Sequence, residues 1–342
     1  MQQTTITLQP PYLVFFGDIR ARMNAKTGLG LVHWAPDRCV GQMNIAGCTV
    51  ESGLPEMSVA EALGAGVKTV VIGVAPTGGQ LEETWLPPLL EFAGAGVDIA
   101  AGLHSRLTDT PELVAAAGDG GAKLIDVRVP PAGLPCGSGR RRTGKRLLTV
   151  GTDCSVGKMY SSLALHRELV KRNVNATFRA TGQTGILIAG EGIPIDAVVA
   201  DFIAGAAETL SPDNESDHWD IIEGQGSLIH PSYAGVTLGL IHGSQPDALV
   251  MCHDVDRAFI KEVSARLPIP ALDEFIETAL SAARLTNPDC ICTGIAVNTS
   301  TLSHNDRARY LADLQQQTGL PAVDPVATGT SAVADYMLER FA

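Results

Sequence analysis

The sequence lacks several features that would direct it to particular classes. No apolar run reaches the ~18 residues that a membrane-spanning helix needs, and the N-terminus has no basic-then-apolar export signal. A cytoplasmic, non-membrane protein is therefore expected. Basic residues are outnumbered, with 25 Lys and Arg against 37 Asp and Glu and a net charge of -12. That balance excludes general binding to nucleic acid or acidic membranes, while leaving room for a local basic pocket facing an anionic cofactor. The seven cysteines are odd in number and form no CxxC pair. Cys290 and Cys292 stand in a strand-like run where their side chains face opposite ways, so reduced thiols are expected. There is no GxGxxG, which disfavours a dinucleotide site, and no repeat or low-complexity tract. Aromatics make up only 5% and charged residues 18%.

What remains is an ordinary α/β composition, with 45% hydrophobic residues and 36 glycines for tight strand-to-helix turns. A length of 342 residues suggests two domains. Apolar strands are read at 12–16, 67–72, 97–103 and 122–127, alternating with helical stretches, which implies a mostly parallel sheet. Ser58 to Leu63 opens a helix with a capping box from Ser58 and Glu61. Pro87-Pro88 are expected to divide a helix over 81–92. The loop 73–79 follows a strand's C-terminal end, where open α/β sheets bind ligands. Lys26, with Arg20 and Arg22 nearby, is read first as solvated and second as facing an anionic ligand. The Pro-, Gly- and Arg-rich stretch 130–142 breaks the pattern. The expected division is an N-terminal domain over 1–135, a linker over 136–145 and a C-terminal domain over 146–342. Arg140, Arg141 and Arg142 are either a solvated face or neighbours of an anionic cofactor.

The most informative stretch opens the second domain. Leu147 to Val150 is a short buried strand and Lys158 begins a helix. Between them run Gly151, Thr152, Asp153, Cys154, Ser155, Val156 and Gly157. Such a loop turns backbone N–H groups towards one point at a helix N-terminus, and Lys158 adds a full positive charge. Five residues separate Gly151 from Gly157, one more than the usual phosphate loop. The longer loop resembles that of dethiobiotin-synthetase-like P-loop proteins. Met159 stands where Ser or Thr would hold Mg²⁺, and Tyr160 follows it. A phosphate cradle without its metal hydroxyl favours holding a phosphorylated cofactor over hydrolysing a nucleotide.

Further strands are read at 176–180, 195–200, 219–223, 248–252 and 290–297, with a helix at 271–283. The phosphate loop, Arg179, Asp201 and Glu223 would then stand at strand C-termini along one edge, with Gln225 and His230 on the adjoining loop. Glu223 ends an apolar strand, which solvation explains poorly. Asp201 has a competing reading as a helix N-cap, and Arg179 as the partner of a core carboxylate. Cys154 is read as packing in preference to an acyl-carrying thiol.

The loop Gly151–Met159, the run Asp201–Ala206 and the run Glu223–Pro231 together resemble the DgcN-type D-glutamate N-acetyltransferase family, long catalogued as a domain of unknown function. The resemblance spans nearly the whole chain. It implies a Rossmann-like N-terminal domain followed by a P-loop NTPase-like parallel-sheet domain. It also implies transfer of acetyl from acetyl-CoA to the amine of D-glutamate, in D-amino acid catabolism, with no metal required. Within that reading Glu223 or His230 is the expected base and Asp201 a further catalytic candidate. Arg179 is the first expected carboxylate clamp, Lys26 a weaker one, and Gln225 a substrate contact. A homodimer is expected. The alternative is an ATP-dependent ligase or kinase of the dethiobiotin-synthetase type, against which Met159 argues.

Overall fold

The computed structural model describes residues 5–74, 78–261, 263 and 266–342. By Cα packing the chain divides into two units, one of Met1–Pro131 with Gly182–Ala197 and one of Ala132–Thr181 with Val198–Ala342. This differs from a boundary at 135 with a linker over 136–145. A short excursion from the second unit belongs to the first, and the Arg-rich stretch is packed into the second.

The first unit runs β1 (Ile6–Thr7), β2 (Tyr12–Gly17), α1 (Lys26–Trp34), β3 (Cys39–Asn44), α2 (Val59–Gly64), β4 (Thr69–Ile72), α3 (Leu86–Gly94), β5 (Asp98–Ala101), α4 (Pro111–Gly120) and β6 (Leu124–Asp126). Its sheet has the order β3-β2-β4-β5-β6, and every pairing is parallel. β2 is buried from end to end, which is why it reads as an unbroken apolar run. The capping box at α2 is formed, with Ser58 Oγ accepting from the Glu61 N–H and Glu61 returning to the Ser58 N–H. Pro87 and Pro88 do not divide a helix. They sit in the first turn of α3, where no helical bond needs their missing N–H groups. Of the loop 73–79, residues 75–77 lie outside the described residues.

The second unit begins with β7 (Lys145–Gly151), α5 (Lys158–Lys171) and β8 (Ala176–Arg179). The chain then gives α6 (Gln183–Ala189) and β9 (Glu191–Gly192) to the first unit, where β9 pairs antiparallel with β1. It returns with α7 (Ala200–Leu210), β10 (Trp219–Ile222), α8 (Ala234–Ser244), β11 (Ala248–Asp254), α9 (Leu272–Ala283), β12 (Ile291–Asn298), α10 (His304–Thr318), β13 (Ala322–Val323) and α11 (Ser331–Arg340). The sheet order is β13-β12-β11-β7-β10-β8, all parallel. The strand expected at 195–200 is instead a 3-10 turn, Ile195–Ala197, closed by the Ala197 N–H on the Pro194 carbonyl. A short, mainly apolar stretch such as this, interrupted by Asp196, does not by its pattern distinguish a strand from a turn.

The core of this sheet joins Leu147, Ile221, Val250 and Ala296 to Leu165 and Leu169 of α5 and to Val333 and Met337 of α11. Each large side chain buried there contributes about 1.5–3 kcal/mol to docking these helices. The helices thereby fix the phosphate-loop end of β7 against the sheet. No helix among the described residues is long and apolar enough to cross a membrane.

Arg142 is a buried cation whose hydrogen bonds go to carbonyls and a hydroxyl. Its guanidinium donates to the carbonyls of Glu208 and Ser211 at the end of α7 and to those of Gly243 and Ser244 at the end of α8, as well as to Ser211 Oγ. These are the unsatisfied, negative ends of two helices. Burial, with Arg146 nearby, brings its pKa down to about 10. Its role is neither a solvated face nor a phosphate contact. Arg140 and Arg141 fit the solvated reading, both exposed, with Arg140 paired to Asp213 at 2.6 Å on the surface.

Candidate functional site: a phosphate loop at the sheet edge

The central strand β7 delivers Gly151 to the C-terminal edge of the sheet, and α5 starts at Lys158. Ser155 (φ 56°) and Gly157 (φ 95°) take the left-handed conformation, which curls the intervening backbone. Among the described residues the N–H groups of Ser155 to Met159 have no hydrogen-bond partner. The first N–H groups of a helix are left without one by geometry. They border a cleft of about 400 Å³ whose lining includes Cys154, Lys158, Met159, Tyr160, Glu223 and Gln225.

Lys158 is buried, and its Nζ donates to the Asp153 carbonyl at 2.8 Å. An ammonium has three donors, so two stay available to a ligand. Burial pushes its pKa down, opposed by Cys252, Cys154, Asp153 and Glu223. Gly224 shapes the other wall. A Cβ there would overlap the Thr149 carbonyl oxygen and press on the Lys158 stem, so this loop approaches β7 only as glycine. Thr149 Oγ1 accepts the Gly224 N–H at 2.9 Å and fixes that approach.

Met159 supplies no hydroxyl, and the two serines that follow do not replace one. Ser161 Oγ donates to the Gly157 carbonyl, and Ser162 Oγ to those of Lys158 and Met159. Both are turned back along their own helix.

Asp153 is fully buried beneath the loop. Its Oδ2 accepts from Arg257 Nη1 at 2.7 Å and from the Lys261 N–H at 2.8 Å, and its Oδ1 accepts the Cys154 N–H. Thr152 Oγ1 lies 3.0 Å from His253 Nδ1, and Ser227 Oγ donates to the Thr152 carbonyl. The loop is thus held from below by side chains of β11, of the segment after it and of the 223–231 loop. Neither His253 nor Arg257 stood out in the sequence. The signal was their position at and just past the end of an apolar strand adjoining the phosphate-loop strand.

Glu223 and Gln225 reach the cleft. Glu223 is buried, with Oε2 accepting the Thr181 N–H at 2.9 Å. His230 is also buried. Its Nδ1 accepts the Ser232 N–H, so the opposite nitrogen carries the proton and donates to the Lys261 carbonyl at 3.3 Å. Arg179 is not in the cleft lining; its Nε donates to Asp220 Oδ1 at 2.6 Å, beside His218. Asp201 is exposed in the first turn of α7, whose N-cap is Val199. Lys26 belongs to the first unit and is exposed at the start of α1.

Asp153, Cys154 and His230 bring potential metal-ligating atoms within 4.8 Å of one another. The donor set does not suit an ion. Both Asp153 oxygens and both His230 nitrogens are already engaged by protein groups.

Family models agree with this architecture. The P-loop domain of unknown function DUF1611_C matches residues 135–334, and the Rossmann-like domain of unknown function DUF1611_N matches residues 43–130. A D-glutamate N-acetyltransferase of Tritonibacter scottomollicae is 48% identical over 330 residues, covering 96% of this chain and 99% of that protein. One from a Pseudoalteromonas species is 48% identical over 326 residues, covering 95% and 98%. The crystal structure of a DUF1611 family protein from Anabaena variabilis is 34% identical, with a TM-score of 0.77 and coverage of 96% and 98%. The match of both domain models, together with identity of this extent to full-length relatives, makes this chain a member of the DUF1611 family.

Proposed function

We propose that the protein is a D-glutamate N-acetyltransferase that takes its acetyl group from acetyl-CoA. The observation that carries the reading is a phosphate loop with its curled backbone and buried lysine in place, but with Met159 where a metal-holding hydroxyl would stand. The relatives named for this activity match over nearly their whole length. The CoA pyrophosphate would sit over the free N–H groups from Ser155 to Met159, with Lys158 neutralising it in a site sheltered from water. No step of acetyl transfer needs a metal. The alternative, a Mg²⁺-dependent ligase or kinase, would have to place its metal without a loop hydroxyl. The proposed setting is a homodimer in the cytoplasm, in keeping with seven unpaired thiols.

The test is direct. The purified protein is given acetyl-CoA and D-glutamate in EDTA, and release of CoA thiol is followed, with L-glutamate and ATP–Mg²⁺ in parallel reactions. Thiol release that depends on D-glutamate and ignores EDTA is the expected result. No thiol release, with consumption of ATP, would overturn the assignment.

A further inference from the structure

A second cleft in the same unit has no role so far. It encloses about 440 Å³ on the far side of β11, and its lining includes His253, Arg257, Leu272, Tyr310, Asp313 and Gln317. Tyr310, Asp313 and Gln317, with Leu314, recur at the spacing that puts them on one face of α10. The other wall is the end of β11 and the segment that follows it.

Its inner polar groups are tied to the phosphate loop. His253 Nδ1 is engaged by Thr152 Oγ1, and Arg257 Nη1 by Asp153. Those bonds leave His253 Nε2 and the remaining Arg257 donors without partners among the described residues. Asp313, exposed on α10, likewise has none there. The cleft therefore offers one cation, one carboxylate, one imidazole nitrogen, a phenol and an amide. An acidic amino acid carries the matching set of carboxylates and an ammonium.

We infer that this cleft is the acceptor site: Arg257 holds a carboxylate of the amino acid, Asp313 holds its ammonium, and His253 Nε2 takes the proton that frees the amine. The inference rests on the acetyl-transfer reading. The chemistry balances as follows. His253 removes one ammonium proton, and the nitrogen lone pair attacks the thioester carbon. The C–N bond forms, the C–S bond breaks, and the electron pair leaves on sulfur. Of the two protons nitrogen loses, one ends on the thiolate and one in solvent. Burial lowers the His253 pKa, so the ring is neutral and ready to accept. The other two candidate bases are placed differently, His230 with both nitrogens bonded and Glu223 under the Thr181 N–H.

The test uses the full chain with saturating acetyl-CoA. Asp313→Asn alters an exposed side chain, so it should fold; it is expected to raise KM for D-glutamate by about tenfold or more with a smaller change in kcat. His253→Gln keeps a hydrogen bond to Thr152 within reach and is expected to lower kcat by about 100-fold or more with little change in KM. CoA affinity, measured by calorimetry, should be unchanged in Asp313→Asn. D-glutamate binding to the protein alone, read by ligand-observed NMR, should weaken in Asp313→Asn; this readout stands even if His253→Gln does not fold. Unaltered D-glutamate binding in Asp313→Asn would overturn the inference. So would loss of CoA affinity in Asp313→Asn, since the cleft would then hold part of the donor. Wild-type protein that binds D-glutamate but transfers nothing would overturn the acetyl-transfer reading instead.

Discussion

Arg142 and Lys158 are both buried in the second unit, and their surroundings differ in kind. Arg142 spends its donors on four carbonyls and a hydroxyl at the ends of α7 and α8. Lys158 makes one bond, to the Asp153 carbonyl, and lines a cleft bordered by free N–H groups. In the first, both terminal nitrogens are engaged by protein groups, and among the described residues only the buried Nε lacks a partner. The second leaves two ammonium donors and a row of N–H groups open to a ligand. Burial alone therefore does not identify a ligand-binding cation; the number of its donors already in use does.

Three substitutions and a pH titration would break or sharpen that contrast. Arg142→Ala should have the largest effect, a loss of about 3–5 kcal/mol in urea unfolding, because several buried carbonyls lose their only strong donor. CoA affinity of the folded fraction should be unaltered, since the two sites share no partner. Gly224→Ala falls between the two cations in character. Its Cβ would collide with Thr149 and crowd the Lys158 stem. About 2–3 kcal/mol of stability and part of the CoA affinity should go together. Lys158→Ala should reverse the Arg142 pattern, weakening CoA binding by about 1.5–3 kcal/mol, or roughly 10- to 150-fold, with the melting temperature held or raised. If Lys158→Ala unfolds the protein instead, the contrast fails.

The smallest effect concerns pH. His166, His218 and His253 all have pKa values lowered by burial from the ordinary 6.5. The unfolded chain then binds protons more readily than the folded one. Stability should be at its full level above pH 6.5 and decline as pH falls from there through the folded values. Arg142, held at about 10, does not titrate in that window and leaves the decline unchanged, as measured by urea midpoints at several pH values.

How much of this was readable from the sequence depended on whether the signal was local. The phosphate loop was, because its strand, its glycines, its lysine and its helix are contiguous. Glu223 was, because a carboxylate closing an apolar strand stands out on its own. Arg179 was read both as a clamp and as the partner of a core carboxylate, and which carboxylate could not be seen locally because Asp220 lies 41 residues away on the neighbouring strand. His253 and Arg257 were missed because their importance comes from β11 lying beside β7, a pairing no local motif announces. Arg142 had two readings on offer, and neither included capping two helix ends. The mainly apolar stretch 195–200 misled because a short hydrophobic stretch fits a strand and a turn equally well.

The claim that the loop holds CoA by backbone and lysine, without metal, is tested most directly by calorimetric titration of CoA in EDTA into wild type and Lys158→Ala. The account predicts binding to wild type that EDTA does not disturb and that the variant loses by roughly 10- to 150-fold. Equal affinity in both proteins, or binding that appears only when Mg²⁺ is restored, would contradict it.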